Sequence, residues 1–318
     1  MNALPFENLE LAQSFIRKLI YFDIFSHPLS AREIFEYCDA PDVEEKQGVW
    51  VLEQLKARQL IGYESGFYFI GDDLSKITKR RDANQLASQR MSDARRYASI
   101  AASFPFVRAV FISGTLSKHV MKPDSDIDFF IITEPGKLWI CRALLTTYKK
   151  LILRNSHRNF CLNYFIDSDN LEIPDKNIFT ATELVTLLPM YSYPLYEDFM
   201  AKNKWVRNEF PNFRLRPEDA AILPGRVKRM LEFALNNRLG NFLDHISFSV
   251  ILGFWKKKFR HLSDSSFALN FRSQKNVSKH HPYAFQERVI SRYSEKITIF
   301  EQSTGFSLNH SAELKVVH

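Results

Sequence analysis

The chain has 318 residues, 45% of them hydrophobic and 25% charged, with 28 Phe against 10 Gly. That composition excludes a disordered or loop-rich protein and predicts two or three packed domains. The net charge of +7 is unevenly spread: residues 1–72 hold 6 Lys/Arg and 12 Asp/Glu (net −6), residues 73–110 hold 8 and 3 (net +5), and the remainder 29 and 21 (net +8), so anionic partners belong to the middle and C-terminal parts. Met1 to Glu10 lacks the pattern of a signal peptide, and the apolar run Ile246 to Trp255 is too short to span a bilayer, so the expectation is a cytoplasmic chain with no membrane partner.

Leu11 to Phe25 places Leu11, Phe15, Leu19 and Phe22 at helical spacing, and His27-Pro28 marks its end. Ser30-Ala-Arg-Glu33 has the form of a capping box opening a second helix, with Ile34 and Tyr37 on its apolar face. Val43 to Leu60 predicts a third helix with Val49, Leu52 and Leu55 inward, and Leu60 to Ile70 a hairpin around Glu64-Ser65-Gly66. Three helices and a hairpin resemble a winged helix. DNA binding is the rival function that this implies, but a duplex is held mainly through its phosphates, and the net −6 module argues against it. A scaffold, a partner site or a homodimer surface fits the acidic module better. Leu74 to Ala102 then predicts one long helix, whose Lys79-Arg80-Arg81 and Arg95-Arg96 form either a solvated face or the wall of a cleft that attracts a phosphate-rich substrate.

The most informative segment runs from Ile112 to Ile132. Val110 to Ser113 reads as a short strand ending at Gly114, where a missing Cβ lets backbone come close to a ligand. With ten residues between Thr115 and it, Asp126-Ile127-Asp128 opens the apolar run Phe129 to Ile132, and strand alternation puts Asp126 and Asp128 on one face with Ile127 in the core. Paired carboxylates suit divalent cations, which clamp phosphate oxygens during phosphoryl transfer. The plain alternative is that these aspartates only cap the turn Lys122-Pro-Asp-Ser-Asp126.

Over residues 107–167 this pattern resembles the polymerase-β-like nucleotidyltransferase superfamily. Gly114-Thr115 stands for the Gly-Ser pair of that family, and Asp126 and Asp128 match its metal-binding carboxylates. The resemblance implies two Mg²⁺ ions held by Asp126 and Asp128, an NTP gripped by Ser113, Gly114, Thr115 and Lys118, and transfer of a nucleoside monophosphate to an unidentified hydroxyl acceptor. It also implies a third carboxylate on a later strand. In Asn159 to Asp167 the residue inside the strand is Asn163, whereas Asp167 faces the same way roughly 13 Å downstream. Either Asp167 supplies the third acid or the site lacks it.

Glu134-Pro135-Gly136 predicts a turn, and Lys137 to Leu153 a helix crossing over to the Phe160 to Ile166 strand. Thr180-Ala-Thr-Glu183 has the form of a second capping box, opening a helix from Leu184 to Met190. Asn203 to Val206 and Phe210 to Asn212 read as packing segments. Arg226 to Phe259 predicts helix, apolar on one side through Met230, Phe233, Leu239, Phe242 and Ile246; by family analogy such a region closes over the nucleotide or holds the acceptor. His280 and His281 lie in a basic loop before a helix from Tyr283 to Phe300. Cys38, Cys141 and Cys161 are odd in number and far apart, as expected of reduced buried thiols.

The expected fold is α+β: a winged-helix-like module (1–72), a basic connecting helix (73–104), a nucleotidyltransferase-like α/β core with a mixed sheet (105–215) and a C-terminal helical region (216–318). The expected function is Mg-dependent nucleotidyl transfer. Its rival is a catalytically silent relative acting as a nucleotide- or partner-binding regulator.

Overall fold

The computed structural model describes residues 8–156, 158–217, 225–263, 267, 271–279 and 285–309. These form a mixed α and β architecture with eleven α-helices, a two-stranded hairpin and a mixed six-stranded sheet. His280 and His281 lie outside the described residues. Among the described residues no helix is long and apolar enough to cross a membrane.

The first three helices are α1 (Leu9–Asp23), α2 (Ala31–Tyr37) and α3 (Glu45–Ala57), followed by the hairpin β1 (Gly62–Glu64) and β2 (Phe67–Phe69). The capping box of α2 forms as its sequence requires: Glu33 N donates to Ser30 Oγ, and Ser30 N donates to Glu33 Oε2 at 2.9 Å. In α3 the inward set is Gly48, Val51, Leu52 and Leu55, and Val49 is exposed, contrary to expectation. Gly48 sets that rotation, because a Cβ there would stand 2.6 Å from the Phe35 ring of α2. The expected apolar positions of α1 are buried, and so are Ala12, Ile16 and Ile20 between them.

The reason α1 is enclosed all round lies at the other end of the chain. Helix α11 (Phe285–Thr304) packs against it, with the Tyr21 and Tyr293 rings edge to face at 5.5 Å. Lys76 and Lys296 both reach Asp23 at 2.6 Å, and Arg17 donates to the Leu308 carbonyl at 2.8 Å. The amino-terminal module is thus bound into the rest of the protein. Helix α4 (Ser75–Ala102) leaves it, pinned by buried Arg80 to Glu33 at 2.6 Å, and lays Ala87, Ala94, Ala98 and Ala101 into a core it shares with β3.

Strands β3 (Val107–Ser113), β4 (Asp128–Thr133), β5 (Cys161–Asp167), β6 (Leu188–Tyr191), β7 (Ser273–Gln274) and β8 (Val277–Lys279) make the main sheet, in the order β6-β3-β4-β5-β8-β7. Only β4 and β5 run parallel, joined by the crossover helix α6 (Leu138–Leu151), as a parallel pair requires. One face of the sheet packs on α4, α6 and α10 (Arg238–Lys258) through Val110, Ile112, Phe129, Ile131 and Phe165. The other packs on α7 (Ile178–Val185), α8 (Tyr193–Lys202) and the amino-terminal module through Phe111, Phe130, Ile132 and Ile166.

Two parts of the sheet depart from expectation. The predicted helix from Leu184 to Met190 is instead the end of α7 followed by β6, which pairs with β3; an edge strand tolerates Pro189 because one side of its ladder is unpaired. The expected all-helical C-terminal region contributes β7 and β8, which extend the sheet from β5. The segment after α8 is a packing segment as expected: Asn203 is fully buried, accepting from Ile173 N and donating to the Leu171 and Phe199 carbonyls.

Candidate active site

Strand β3 ends at Ser113, and the chain turns at Gly114 (φ +69°) into the single helical turn α5 (Gly114–Ser117). It returns through Lys122 to Ser125, held by the Ser125 Oγ contact with Lys122 N at 2.9 Å, and enters β4 beside the strand it left. Ser113 and Asp128 are opposite each other in that ladder. Ile127 is fully buried, and Asp126 and Asp128 stand on either side of it. Gly114 is required by two conditions at once. Its backbone lies in the left-handed region, and a Cβ there would meet Asp128 Oδ2 at 2.2 Å. The carboxylate is therefore seated directly against the turn.

Gly114, Thr115, Lys118, Asp126, Asp128 and Asn163 line one cavity of about 580 Å³. Ser113 is buried beneath it, its Oγ 3.5 Å from the Asp128 carbonyl. Asp167 is not part of it. Because β4 and β5 run parallel, Asp167 is paired with Thr133 at the far end of the strands, where it accepts from Asn170 Nδ2 at 2.7 Å. The register shift between Phe129 and Phe130 falls at Asn163, which lines the cavity, while Asp167 lies at the opposite end of the strand. The position open to a third acid on β5 thus holds an amide.

A different acid reaches the cavity. Glu183 of α7 lines it, and Lys118 Nζ donates to Glu183 Oε2 at 2.8 Å and to the Gly114 carbonyl at 2.9 Å. The sequence pattern Thr180-Ala-Thr-Glu183 makes Glu183 the closing glutamate of a capping box. In fact Asn177 caps α7, accepting from Thr180 N at 3.0 Å, so Glu183 sits within the helix and is free to point at the site. No local signal marks it. The aromatic wall was equally hidden: Phe22 and Phe25 arrive from the amino-terminal module, Phe179 from α7, Phe259 from the end of α10 and Phe285 from α11. At helical spacing such residues read as core.

The electrostatics are those of a carboxylate cluster short of positive charge. Burial pushes the Asp128 carboxyl up to about 7, and the negative charges of Asp126 and Glu183 push the same way, against a hydrogen bond from Cys161 and the charge of Lys118. Burial likewise raises the Cys161 thiol, with the Asp128 charge adding to it. Thr115 Oγ1 is buried and has no hydrogen-bond partner among the described residues. Among the described residues no three His, Cys, Asp or Glu side chains converge as a complete metal site. Mg²⁺ does not need one, because it is commonly held by one or two carboxylates with waters and phosphate oxygens completing the shell. Two carboxylates, one of them raised by burial and like charge, and an unpartnered hydroxyl fit that ion.

A second cavity of about 650 Å³ adjoins the first, sharing Phe25 and Val120 with it. Lys79, Arg80 and Lys122 line it with Asp82, so the first basic run of α4 borders this cleft through Lys79 and Arg80. No family model matches the chain, and neither a curated protein nor a solved structure is significantly similar to it. The functional assignment therefore rests on the residues of the site themselves.

Proposed function

We propose that this cavity binds a nucleoside triphosphate with Mg²⁺ and that the chain is a nucleotidyltransferase of the polymerase-β-like class, moving a nucleoside monophosphate to a hydroxyl acceptor. The observation that carries this reading is the seating of Asp128 against Gly114. A turn without a Cβ, two carboxylates and an unpartnered hydroxyl meet in a cavity whose volume suits a nucleotide.

Asp126 and Asp128 would hold the metal, which when bound neutralises phosphate charge and acidifies an oxygen nucleophile. Thr115 Oγ1 is available to donate to a phosphate oxygen. Lys118 is engaged by Glu183, so gripping a phosphate requires it to exchange that carboxylate for the substrate. Glu183, once released, can accept the proton of the acceptor hydroxyl. The phenylalanine walls exclude water and offer ring faces to a base.

Asn163 favours a second reading, a nucleotide-binding regulator that does not turn over. Calorimetry of each NTP with and without Mg²⁺, on wild type and the Asp126→Ala/Asp128→Ala double variant, tests the site. Metal-dependent binding is expected and is lost in the variant. Pyrophosphate release, once an acceptor is supplied, should fall by on the order of a thousandfold in the same variant. Binding with no pyrophosphate release across a panel of hydroxyl acceptors would favour the regulator. Failure of folded wild type to bind any nucleotide would sink both readings.

A further inference from the structure

Helices α9 (Arg226–Leu235) and α10 are built with their polarity reversed. Helix α9 turns charged groups inward: Lys228 is buried, its Nζ donating to the Ala102 and Val107 carbonyls at 2.9 and 2.6 Å, and Glu232 accepts from Phe106 N and Arg108. Outward it shows Phe233, 89% exposed, and Met230, 70% exposed. On α10 the residues Leu239, Phe242, Ile246, Val250 and Phe254 recur at intervals of three and four, forming one exposed ridge opposite the side that packs on α6. Nine of the nineteen large apolar side chains exposed among the described residues stand on these two helices, so the concentration is local. Such a face is costly to leave in water.

Charge identifies what covers it. Arg226, Arg229, Arg238, Lys256, Lys257 and Arg260 are exposed around the ridge. The two acids of residues 225–260 are both consumed internally: Glu232 by Arg108, and Asp244 by Trp139 N and Ile140 N at 2.8 Å. A symmetric pair of copies joined through this face would press cations against cations. Phenylalanine, leucine and isoleucine ringed by Lys and Arg, with no exposed acid among residues 225–260, match an anionic bilayer, whose headgroups take the cations while its acyl boundary takes the ridge.

We propose that α9 and α10 dock the protein onto the surface of an anionic membrane, lying in the interface without crossing it. The end of α10 supplies Lys258 and Phe259 to the candidate active site, so docking holds that cavity close to the lipid surface. The docking itself stands independently of the nucleotide reading.

Co-sedimentation of the full chain with vesicles tests it. Wild type is expected to sediment with vesicles containing phosphatidylglycerol, to stay in solution with pure phosphatidylcholine, and to be released by salt. Phe233→Ser/Phe242→Ser should weaken vesicle binding by about a hundredfold or more. Both side chains are exposed, so an unchanged thermal unfolding profile shows that the variant is folded. Lys256→Gln/Lys257→Gln should weaken binding by about tenfold and flatten its salt dependence. Absence of sedimentation by wild type, or equal binding to neutral vesicles, overturns the proposal. So does a concentration-dependent dimer that the phenylalanine variant abolishes, which would assign the face to a second copy.

Discussion

The two ends of the parallel pair β4 and β5 carry aspartates in opposite circumstances. At one end Asp126 and Asp128 face a cavity, and burial with the charges of Asp126 and Glu183 lifts Asp128 to about 7. At the other end burial raises Asp167 too, but Asn170 and neighbouring backbone amides hydrogen-bond to its carboxylate and work against the rise. An acid satisfied by its own loop is structural. One held beside like charges, with Lys118 already engaged by Glu183, is poised for a ligand that brings positive charge.

The largest effect that would sharpen this contrast is expected from Gly114→Ala. The added methyl would meet Asp128 Oδ2 at 2.2 Å on a backbone at φ +69°, so the variant should lose about 1–3 kcal/mol of stability in urea unfolding and at least about tenfold in Mg²⁺-nucleotide affinity. Unchanged values for both would show that the turn does not position Asp128.

Asp128→Asn tests the charge imbalance through pH. Because the folded-state pKa lies above that of the unfolded chain, the folded protein retains a proton that the unfolded chain gives up. The associated stability is complete below about pH 4 and is lost as pH rises through about 7. Thermal unfolding should therefore find the variant gaining on wild type from acid to above pH 7, and Mg²⁺ should raise the wild-type Tm there more than the variant's. A pH-independent difference would break the assigned cause.

Asp167→Asn is the smallest change, with nucleotide binding unaltered and stability within about 0.5 kcal/mol of wild type. Loss of Mg²⁺-dependent binding in that variant would move the metal site to the far end of the strands.

Local rules made much of the protein legible. The capping box at Ser30, the hairpin at Ser65-Gly66 and the strands on either side of Gly114 all formed where short-range chemistry placed them. Legibility failed where the partner lies far along the chain. Strand β6 is recognisable only through its pairing with β3, and β8 only through β5. A run such as Leu188 to Tyr191 carries no periodicity long enough to separate strand from helix. Val49 and Gly48 show the same limit at the scale of one turn, since the Phe35 ring decides which face of α3 points inward.

By itself the sequence determined that Gly114 stands at a turn, that Ile127 is buried between two aspartates, and that a strand opens beside them at Asp128, because these depend on alternation and on the backbone freedom of single residues. Only the tertiary structure decided which further groups join them. The parallel register of β4 and β5 brought Asn163 in and carried Asp167 away, and the packing of α7 delivered Glu183. Those choices depend on where elements distant in sequence come to rest, and no local propensity encodes that.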